Sequence, residues 1–353
     1  MKWFFVQFNP ITLSEEIFMR AILSLSLTMI FFGSVVTAGT LEDVKARGKV
    51  RCVVSTGLAG FAAPDANGVW KGFDIDFCRA TAAAIFGDAD AFEAVPASTA
   101  NRFTVLNSGE ADVLWRNTTI TFSRDVSIKM RFHGVNYYDG QGFMVRKDLG
   151  VKSAKELDGA SVCIQTGTTT ELNLSDFFEV NGMSYEAIPI ATNDEARVCY
   201  DSGRGDVYTT DVSGLAATRP TLKDPSAHVI LPEVISKEPL GPATRHGDDQ
   251  WSDIITWVLN ATITAEELGV TSQNVDQMKS SSNKEVLRML GVEGSQGQEF
   301  GLSNDWAYQI IKQIGNYAEI FERHIGLNTP VGLPRGVNEL WTKGGLMYSP
   351  PFR

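Results

Sequence analysis

A two-lobed α/β fold is what this sequence of 353 residues predicts, on three observations. Strand-like runs alternate with runs of helical period, the pattern of a largely parallel sheet flanked by helices. The order of those runs repeats in outline further along the chain. Two extended, glycine-bearing stretches bracket the repeat, as crossings between two lobes would.

The first set begins with a β-rich run at residues 49–55 and a glycine-punctuated loop. Residues 73–86 follow, where Ile75, Cys78, Ala82 and Ile85 recur at helical spacing. Residues 92–95 read as a second strand, 100–106 as a short helix, and 111–115 as a third strand after the turn Ser108-Gly109-Glu110. In the second set, residues 161–165 read as a strand, 169–181 as a helix, 186–190 as a strand and 193–201 as a helix. A last strand, 206–208, follows Ser202-Gly203-Arg204-Gly205. In such a sheet the ligand site is expected at the C-terminal ends of the strands.

The bracketing stretches, residues 137–145 and 236–245, carry Gly140, Gly142 and Gly241 and are read as hinge strands. The chain then returns to the first lobe and becomes helical. Residues 250–261 carry Trp251, Ile254, Ile255 and Val258; residues 306–325 carry Ile310, Ile311, Ile314, Tyr317, Ile320 and Phe321, read as one helix. The polar tract 271–282 between them is expected to be a solvated insertion.

The chain is 43% apolar and 21% charged, with a formal charge of −11. An acidic balance of that size argues against an extended basic face, so no nucleic-acid partner is expected. From Met19 the sequence reads Met-Arg, an apolar run from Ala21 to Val36, and Val36-Thr37-Ala38 before Gly39. That is a secretory signal cleaved after Ala38. The run is shorter than the roughly 20 apolar residues of a membrane span, and no cysteine near the cut marks a lipoprotein. Glu15, Glu16 and bulky aromatics ahead of Arg20 make an odd leader, so Met19 is an alternative start. A periplasmic location follows. Cys52, Cys78, Cys163 and Cys199 are an even set for an oxidising compartment. Their spacings do not resemble a zinc site; three pairings can be drawn, with buried free thiols as the alternative.

Three segments carry candidate chemistry. Arg116-Asn117-Thr118-Thr119-Ile120-Thr121-Phe122-Ser123-Arg124 ends a predicted strand, and the planar guanidinium fork of Arg124 matches a carboxylate, with Thr119 and backbone N–H groups to complete the site. A surface ion pair is the commoner fate of such an arginine. Gln165-Thr166-Gly167-Thr168-Thr169-Thr170-Glu171 runs from strand into helix with capping-box spacing between Thr168 and Glu171. Such a helix start also leaves N–H groups for an anion. In Gly205-Asp206-Val207-Tyr208-Thr209-Thr210-Asp211, Asp211 ends a strand at the cleft, where it serves either an ammonium group or a turn.

The order of these three segments resembles the family of polar amino-acid-binding proteins of bacterial ABC importers, solute-binding family 3, and most closely its general L-amino-acid branch. The resemblance runs from Val50-Arg51 through Gly72-Phe73-Asp74-Ile75-Asp76, Thr119-Ile120-Thr121 with Arg124, and Lys237-Glu238-Pro239-Leu240-Gly241, to Gly315-Asn316-Tyr317-Ala318-Glu319-Ile320-Phe321. It implies a type II periplasmic-binding-protein fold: two lobes, each a mostly parallel sheet flanked by helices, joined by two hinge strands, with a helical C-terminal extension. The lobes are expected at residues 39–139 plus 241–353 and at 140–240.

By the same resemblance Arg124 clamps a ligand α-carboxylate, Thr119 contacts both α-groups, a backbone N–H at Thr169 adds to the carboxylate site, Asp211 holds the α-ammonium, and backbone groups at Asn117 complete its acceptors. Ser55 stands where binders of basic amino acids carry an aspartate, and Leu58, with Phe61 further on, where they stack an aromatic ring. Thr99 replaces a bulkier lining residue, and Gln165 the charged group of glutamine binders. Arg116 reaches a ligand side-chain carboxylate or braces the loop. In that fold Cys52 pairs with Cys78 and Cys163 with Cys199. The expected partners are a free L-amino acid, neutral or acidic rather than cationic, and an inner-membrane permease; the protein is expected to be a monomer that uses no cofactor.

Competing readings place the same fold in a cyclohexadienyl or arogenate dehydratase, in a targeting domain of a peptidoglycan-cleaving enzyme, or in an amino-acid sensor. His133, His228, His246 and His324 are scattered with no paired nucleophile or repeated acid, so no catalytic residues are expected.

Overall fold

In the computed structural model, which describes residues 1–5, 7 and 39–353, helix α1 (Thr40–Arg47) leads into strand β1 (Val50–Val54). The secretory signal and cleavage site read from Met19 to Ala38 lie outside the described residues. A small hairpin of β2 (Ala63–Pro64) and β3 (Trp70–Lys71) precedes helix α2 (Phe73–Phe86), strand β4 (Phe92–Pro96), helix α3 (Arg102–Asn107), and strands β5 (Val113–Leu114) and β6 (Met130–Phe132). Strand β7 (Tyr137–Asp139) crosses into a second set: β8 (Gln141–Arg146), β9 (Ala160–Gln165), α4 (Thr169–Val180), β10 (Tyr185–Ile190), α5 (Asn193–Asp201), β11 (Val207–Asp211), α6 (Val212–Thr218) and β12 (His228–Ile230). Strand β13 (Glu238–Leu240) crosses back to β14 (Ala243–Arg245). Helices α7 (Asp249–Glu267), α8 (Val275–Met278), α9 (Lys284–Met289), α10 (Gln296–Glu299), α11 (Trp306–Gln313) and α12 (Tyr317–His324) follow, the last α-helices among the described residues.

The two large sheets have the same plan, β4-β1-β5-β14-β6 and β10-β9-β11-β8-β12. The first three strands of each are parallel, with Val50 opposite Phe92 and Cys52 opposite Val113 in one, and Tyr185 opposite Ala160 in the other. One strand in each sheet runs against the rest: β14, antiparallel to β5 and β6, and β8, antiparallel to β11 and β12. The sheets are thus mixed, with four strands one way and one the other. In both, the reversed strand is the one laid down directly after a crossing.

That arrangement refines the two stretches read as hinge strands. Each divides at a glycine, Gly140 or Gly241, and only the first part of each makes the crossing ladder, in which Tyr138 faces Pro239. The second parts, β8 and β14, belong to the lobe sheets. The burial of Phe143, Met144 and Val145 shows why: a strand apolar on both faces belongs between two layers rather than in an exposed connection.

The same two-faced burial organises both cores. In β1, Val50, Cys52 and Val54 face α2 and the C-terminal helices, while Val53 faces the opposite layer with Leu106, Leu114 and Met130. In the second lobe Val162 and Ile164 of β9 join Leu174 and Phe178 of α4, whereas Cys163 joins Ala196, Cys199 and Tyr200 of α5. Helix α2 is apolar nearly all round because α7, α11 and α12 cover the face that the sheet does not. Each lobe carries one disulfide from its first strand to a helix on that sheet, Cys52–Cys78 and Cys163–Cys199. Bridges closing loops of this size stabilise a domain by about 2–4 kcal/mol.

Two expectations need correction in the C-terminal region. The single helix expected over residues 306–325 is two, α11 and α12. Gly315 takes φ of +99°, and Asn316 starts α12 with a capping box: its side chain accepts from the Glu319 N–H at 3.0 Å, and Glu319 accepts from the Asn316 N–H at 2.9 Å. The apolar period carries on through the break, which is why it reads as one helix. The tract 271–282 is not simply a solvated insertion, because it contains α8, whose Val275 is fully buried in the core. Among the described residues no helix is long and apolar enough to cross a membrane.

Gly72, at the start of α2, has φ of 137° and ψ of 174°, a region reserved for glycine, and a Cβ there would stand 2.1 Å from the Phe61 carbonyl oxygen. Gly72→Ala is expected to destabilise the first lobe by at least about 2 kcal/mol, read as a fall in its urea midpoint. An unchanged midpoint would contradict this account of the α2 start.

Candidate functional site

The loop after β5 is fastened to the returning crossing strand. Gly241 N–H donates to the Thr118 carbonyl at 3.1 Å, Ile120 N–H to the Pro239 carbonyl at 2.8 Å, and Thr119 Oγ1 to Glu238 Oε2 at 2.5 Å. Arg124 stands on the short helical turn after that loop, buried, with Nη1 donating to the Thr119 carbonyl at 2.7 Å. Its guanidinium lies 5.4 Å from the centre of the Phe103 ring. Asn117 N–H donates to Asp74 Oδ2 at 3.1 Å, and the Asn117 side-chain oxygen is buried without a partner among the described residues.

Two further arginines lie alongside. Arg116 and Arg102 are buried, and the Nε of each has no hydrogen-bond partner among the described residues. Burial lowers the affinity of all three guanidinium groups for their proton. It brings Arg116 down to about 10, against the pull of Asp74, while Arg102 also feels repulsion from Arg116 and Arg124. The guanidinium's delocalised charge is what keeps an arginine protonated at neutral pH even in such surroundings. Among the described residues none of the three forms an ion pair within 4.0 Å.

The second lobe brings the complementary sign. Thr168 caps α4, its Oγ1 accepting from Glu171 N–H at 3.3 Å; Glu171 reaches back to the Gly167 N–H at 2.7 Å, one residue short of a closed capping box. Thr169 is therefore the first helical residue, and its Oγ1 donates to Glu238 Oε2 at 3.0 Å. Gln165 is buried at the end of β9. Asp211 ends β11 immediately before α6, but its side chain makes no capping hydrogen bond. Burial pushes its carboxyl well above the usual range, helped by Asp139 and Glu238 and opposed by Arg124 and Arg102. Asp139 is raised to about 6 by burial, and Asp74 to about 7.

The lobes touch across this cluster. Thr99 Oγ1 donates to the Thr166 carbonyl at 2.8 Å, and Arg102 Nη2 to the Gly167 carbonyl at 3.4 Å. A capping box of Thr192 and Glu195 starts α5 and aims Asn193, which donates to Ser55 Oγ at 2.9 Å and to the Gly57 carbonyl at 3.2 Å. The structure thus brings Ser55, Thr99, Arg116, Asn117, Thr119, Arg124, Gln165, Thr169 and Asp211 to the two walls of one interlobe cleft. Leu58 lies at its edge, buried in a tight turn closed by hydrogen bonds to Ala62. Phe61 is different: its ring sits edge-on to Phe73 and Tyr137 in the first lobe's aromatic core, each 6.0 Å away.

Arg102, Glu238 and Asp139 were not among the candidates read from the sequence. Arg102 begins a short amphipathic helix and looks like a solvated cap. Glu238 had a visible signal, a lone acid in a strand otherwise written Pro-Leu, but nothing local says that both lobes would converge on it.

Residues 50–326 match the model of the bacterial extracellular solute-binding proteins, family 3. The general L-amino acid-binding periplasmic protein AapJ of Rhizobium johnstonii is 56% identical over 91% of this chain and 94% of its own. The glutamate/glutamine/aspartate/asparagine-binding protein BztA of Rhodobacter capsulatus is 54% identical over 92% and 98%. A solved periplasmic binding protein of an ABC transporter from Brucella ovis, with glutathione bound, superposes with a TM-score of 0.88 at 52% identity, covering 90% of this chain and all of that one. With its two mixed α/β lobes meeting over a buried polar cleft, this chain belongs to family 3 of the bacterial extracellular solute-binding proteins.

Proposed function

We propose that the protein is the periplasmic binding component of an ABC importer for amino acids, exported by a signal cleaved after Ala38, and that as a monomer it closes around one free L-amino acid and presents the closed form to its permease. Binding, not chemistry, is its work. The lobes are residues 39–139 plus 241–353 and residues 140–240, and they swing about Tyr138–Gly142 and Lys237–Gly241. One observation carries the reading: a buried guanidinium on one lobe, Arg124, and a buried carboxyl on the other, Asp211, face one cleft without an ion pair of their own among the described residues. A zwitterion supplies both missing partners at once. Arg124 takes the α-carboxylate with the Thr169 N–H, and Asp211 takes the α-ammonium with Thr119 and Asn117.

The pocket's sign supports a neutral or acidic side chain. Arg102 and Arg116 add two buried positive groups, Ser55 offers no acid to a cationic ligand, and the name of the Rhodobacter relative points the same way. Ser55, Leu58, Thr99 and Gln165 shape the space beside the α-groups.

Arg124→Ala and Asp211→Ala are each expected to weaken binding by about 2–5 kcal/mol, roughly thirtyfold or more, in calorimetric titrations of protein whose circular dichroism matches the parent. A loss under about fivefold in either variant would overturn the α-group assignment. In a thermal-shift panel, glutamate, glutamine, aspartate and asparagine are expected to stabilise more than arginine or lysine, and Arg116→Ala should weaken the acidic pair more than the amides. The largest shift with lysine or arginine would overturn the reading of the pocket. Asp211 also predicts a pH effect. Burial and the neighbouring Asp139 and Glu238 favour its protonated form in the empty cleft, whereas a bound ammonium favours the ionised form, so binding should release protons and affinity should increase as pH rises through the range in which Asp211 titrates. Proton release measured in buffers of different ionisation enthalpy checks this, and should vanish in Asp211→Asn.

A further inference from the structure

We propose that Glu238 sets the hydrogen-bonding polarity of the cleft: it fixes the Thr119 and Thr169 hydroxyls as acceptors towards the ligand, and so selects a free ammonium over a carbonyl at the ligand's α-carbon. The inference rests on the amino-acid reading above and adds to it a positioning residue that does not itself touch the ligand.

Glu238 is 1% exposed and surrounded by four donors. Its Oε2 accepts from Thr119 Oγ1 at 2.5 Å and from Thr169 Oγ1 at 3.0 Å. Its Oε1 accepts from Asn173 Nδ2 at 2.7 Å and from Ser236 Oγ at 2.7 Å. Each oxygen thus accepts two hydrogen bonds, which leaves the carboxylate no capacity for a ligand. The consequence falls on the threonines. A hydroxyl has one proton and two lone pairs, and a carboxylate oxygen only accepts, so the proton of each threonine is committed to Glu238.

What Thr119 and Thr169 then offer the cleft is lone pairs. Their oxygens approach to 3.4 Å from opposite lobes, making a notch that attracts N–H donors and repels a carbonyl oxygen. The Thr119 carbonyl is already taken by Arg124 Nη1, which keeps the loop from rotating its hydroxyl away. The hydrogen bonds from Gly241 to Thr118 and from Ile120 to Pro239 hold the same loop against the strand that carries Glu238. Asp211 attracts an ammonium by charge; Glu238 makes the surrounding hydroxyls agree with it.

The test compares ligands that share a carbon skeleton and differ at the α-carbon: L-glutamate with 2-oxoglutarate, and L-alanine with pyruvate. Dissociation constants are measured by calorimetry and displacement for the parent, Glu238→Met, Thr119→Val and Thr119→Ser. Methionine keeps the chain length but supplies no carboxylate acceptor, so both threonine protons are released to turn towards the cleft. The parent is expected to favour each amino acid over its oxo acid by about a hundredfold or more. Glu238→Met should narrow that gap at least about tenfold, Thr119→Val should weaken only the amino acids by about tenfold, and Thr119→Ser should restore them.

If Glu238→Met weakens amino acid and oxo acid by the same factor, or leaves the gap as it was, Glu238 is only a brace and the proposal falls. Should that variant not fold, Thr119→Val decides, and equal affinities for the amino acids in Val and Ser variants overturn the proposal. A parent that binds neither L-glutamate nor L-alanine overturns the amino-acid reading itself, and this inference with it.

Discussion

Removing charged groups from water is the cost around which the cleft is organised. Arg102, Arg116 and Arg124 lie buried on one side and Asp211 on the other, with Glu238 buried on the crossing strand between them. An unpaired charge in such a place is expensive, and the usual remedy is a tight ion pair. Here the remedy is different. The groups are spread over two lobes and two crossing strands, at distances that leave them linked by field and by neutral hydroxyls and amides rather than by direct contact. A rigid single domain would resolve such an imbalance internally and have no use for a ligand. Between two lobes it stays open in the proposed cleft, where a ligand could resolve it.

The topology makes that division of charge feasible. Each sheet takes its reversed strand from a segment that has just crossed, so β8 is continuous with β7 and β14 with β13. The crossing ladder is therefore continuous with buried sheet in both lobes, and only a few residues lie between. The loop that carries Thr119 is hydrogen-bonded along β13. The Thr119 loop of the first lobe and the connection between lobes are for this reason one hydrogen-bonded unit.

Much of this was legible before any coordinates. The alternation of strands and helices, the repetition of the set, the start of a helix at Thr169 and the end of a strand at Asp211 all follow from period and punctuation, which are local properties. What escaped depends on meetings between distant segments. Residues 306–325 keep an apolar period through a break that only the Asn316 and Glu319 pair reveals. Phe61 looks like a pocket aromatic by sequence distance, yet three-dimensional packing commits it to Phe73 and Tyr137. Glu238 and Arg102 gain their meaning from partners such as Thr169 and Gly167, 69 and 65 residues away in the chain, which no short window of sequence contains.

The last part of the chain, beyond the residues that match the family's model, makes one contact of wider import. Pro239 has no N–H to give, and Tyr138 opposite it turns its own backbone groups outward. Both are met by a single side chain: Asn338 accepts from the Tyr138 N–H at 2.7 Å and donates to the Tyr138 carbonyl at 3.0 Å. A carboxamide has the donor and acceptor of a peptide group, so Asn338 stands in for one residue of a third strand. It seals the open edge of the ribbon against pairing with another chain, without adding the length of ladder that would stiffen it. The connection between the lobes thereby keeps its two short strands while its outer edge is closed to further pairing.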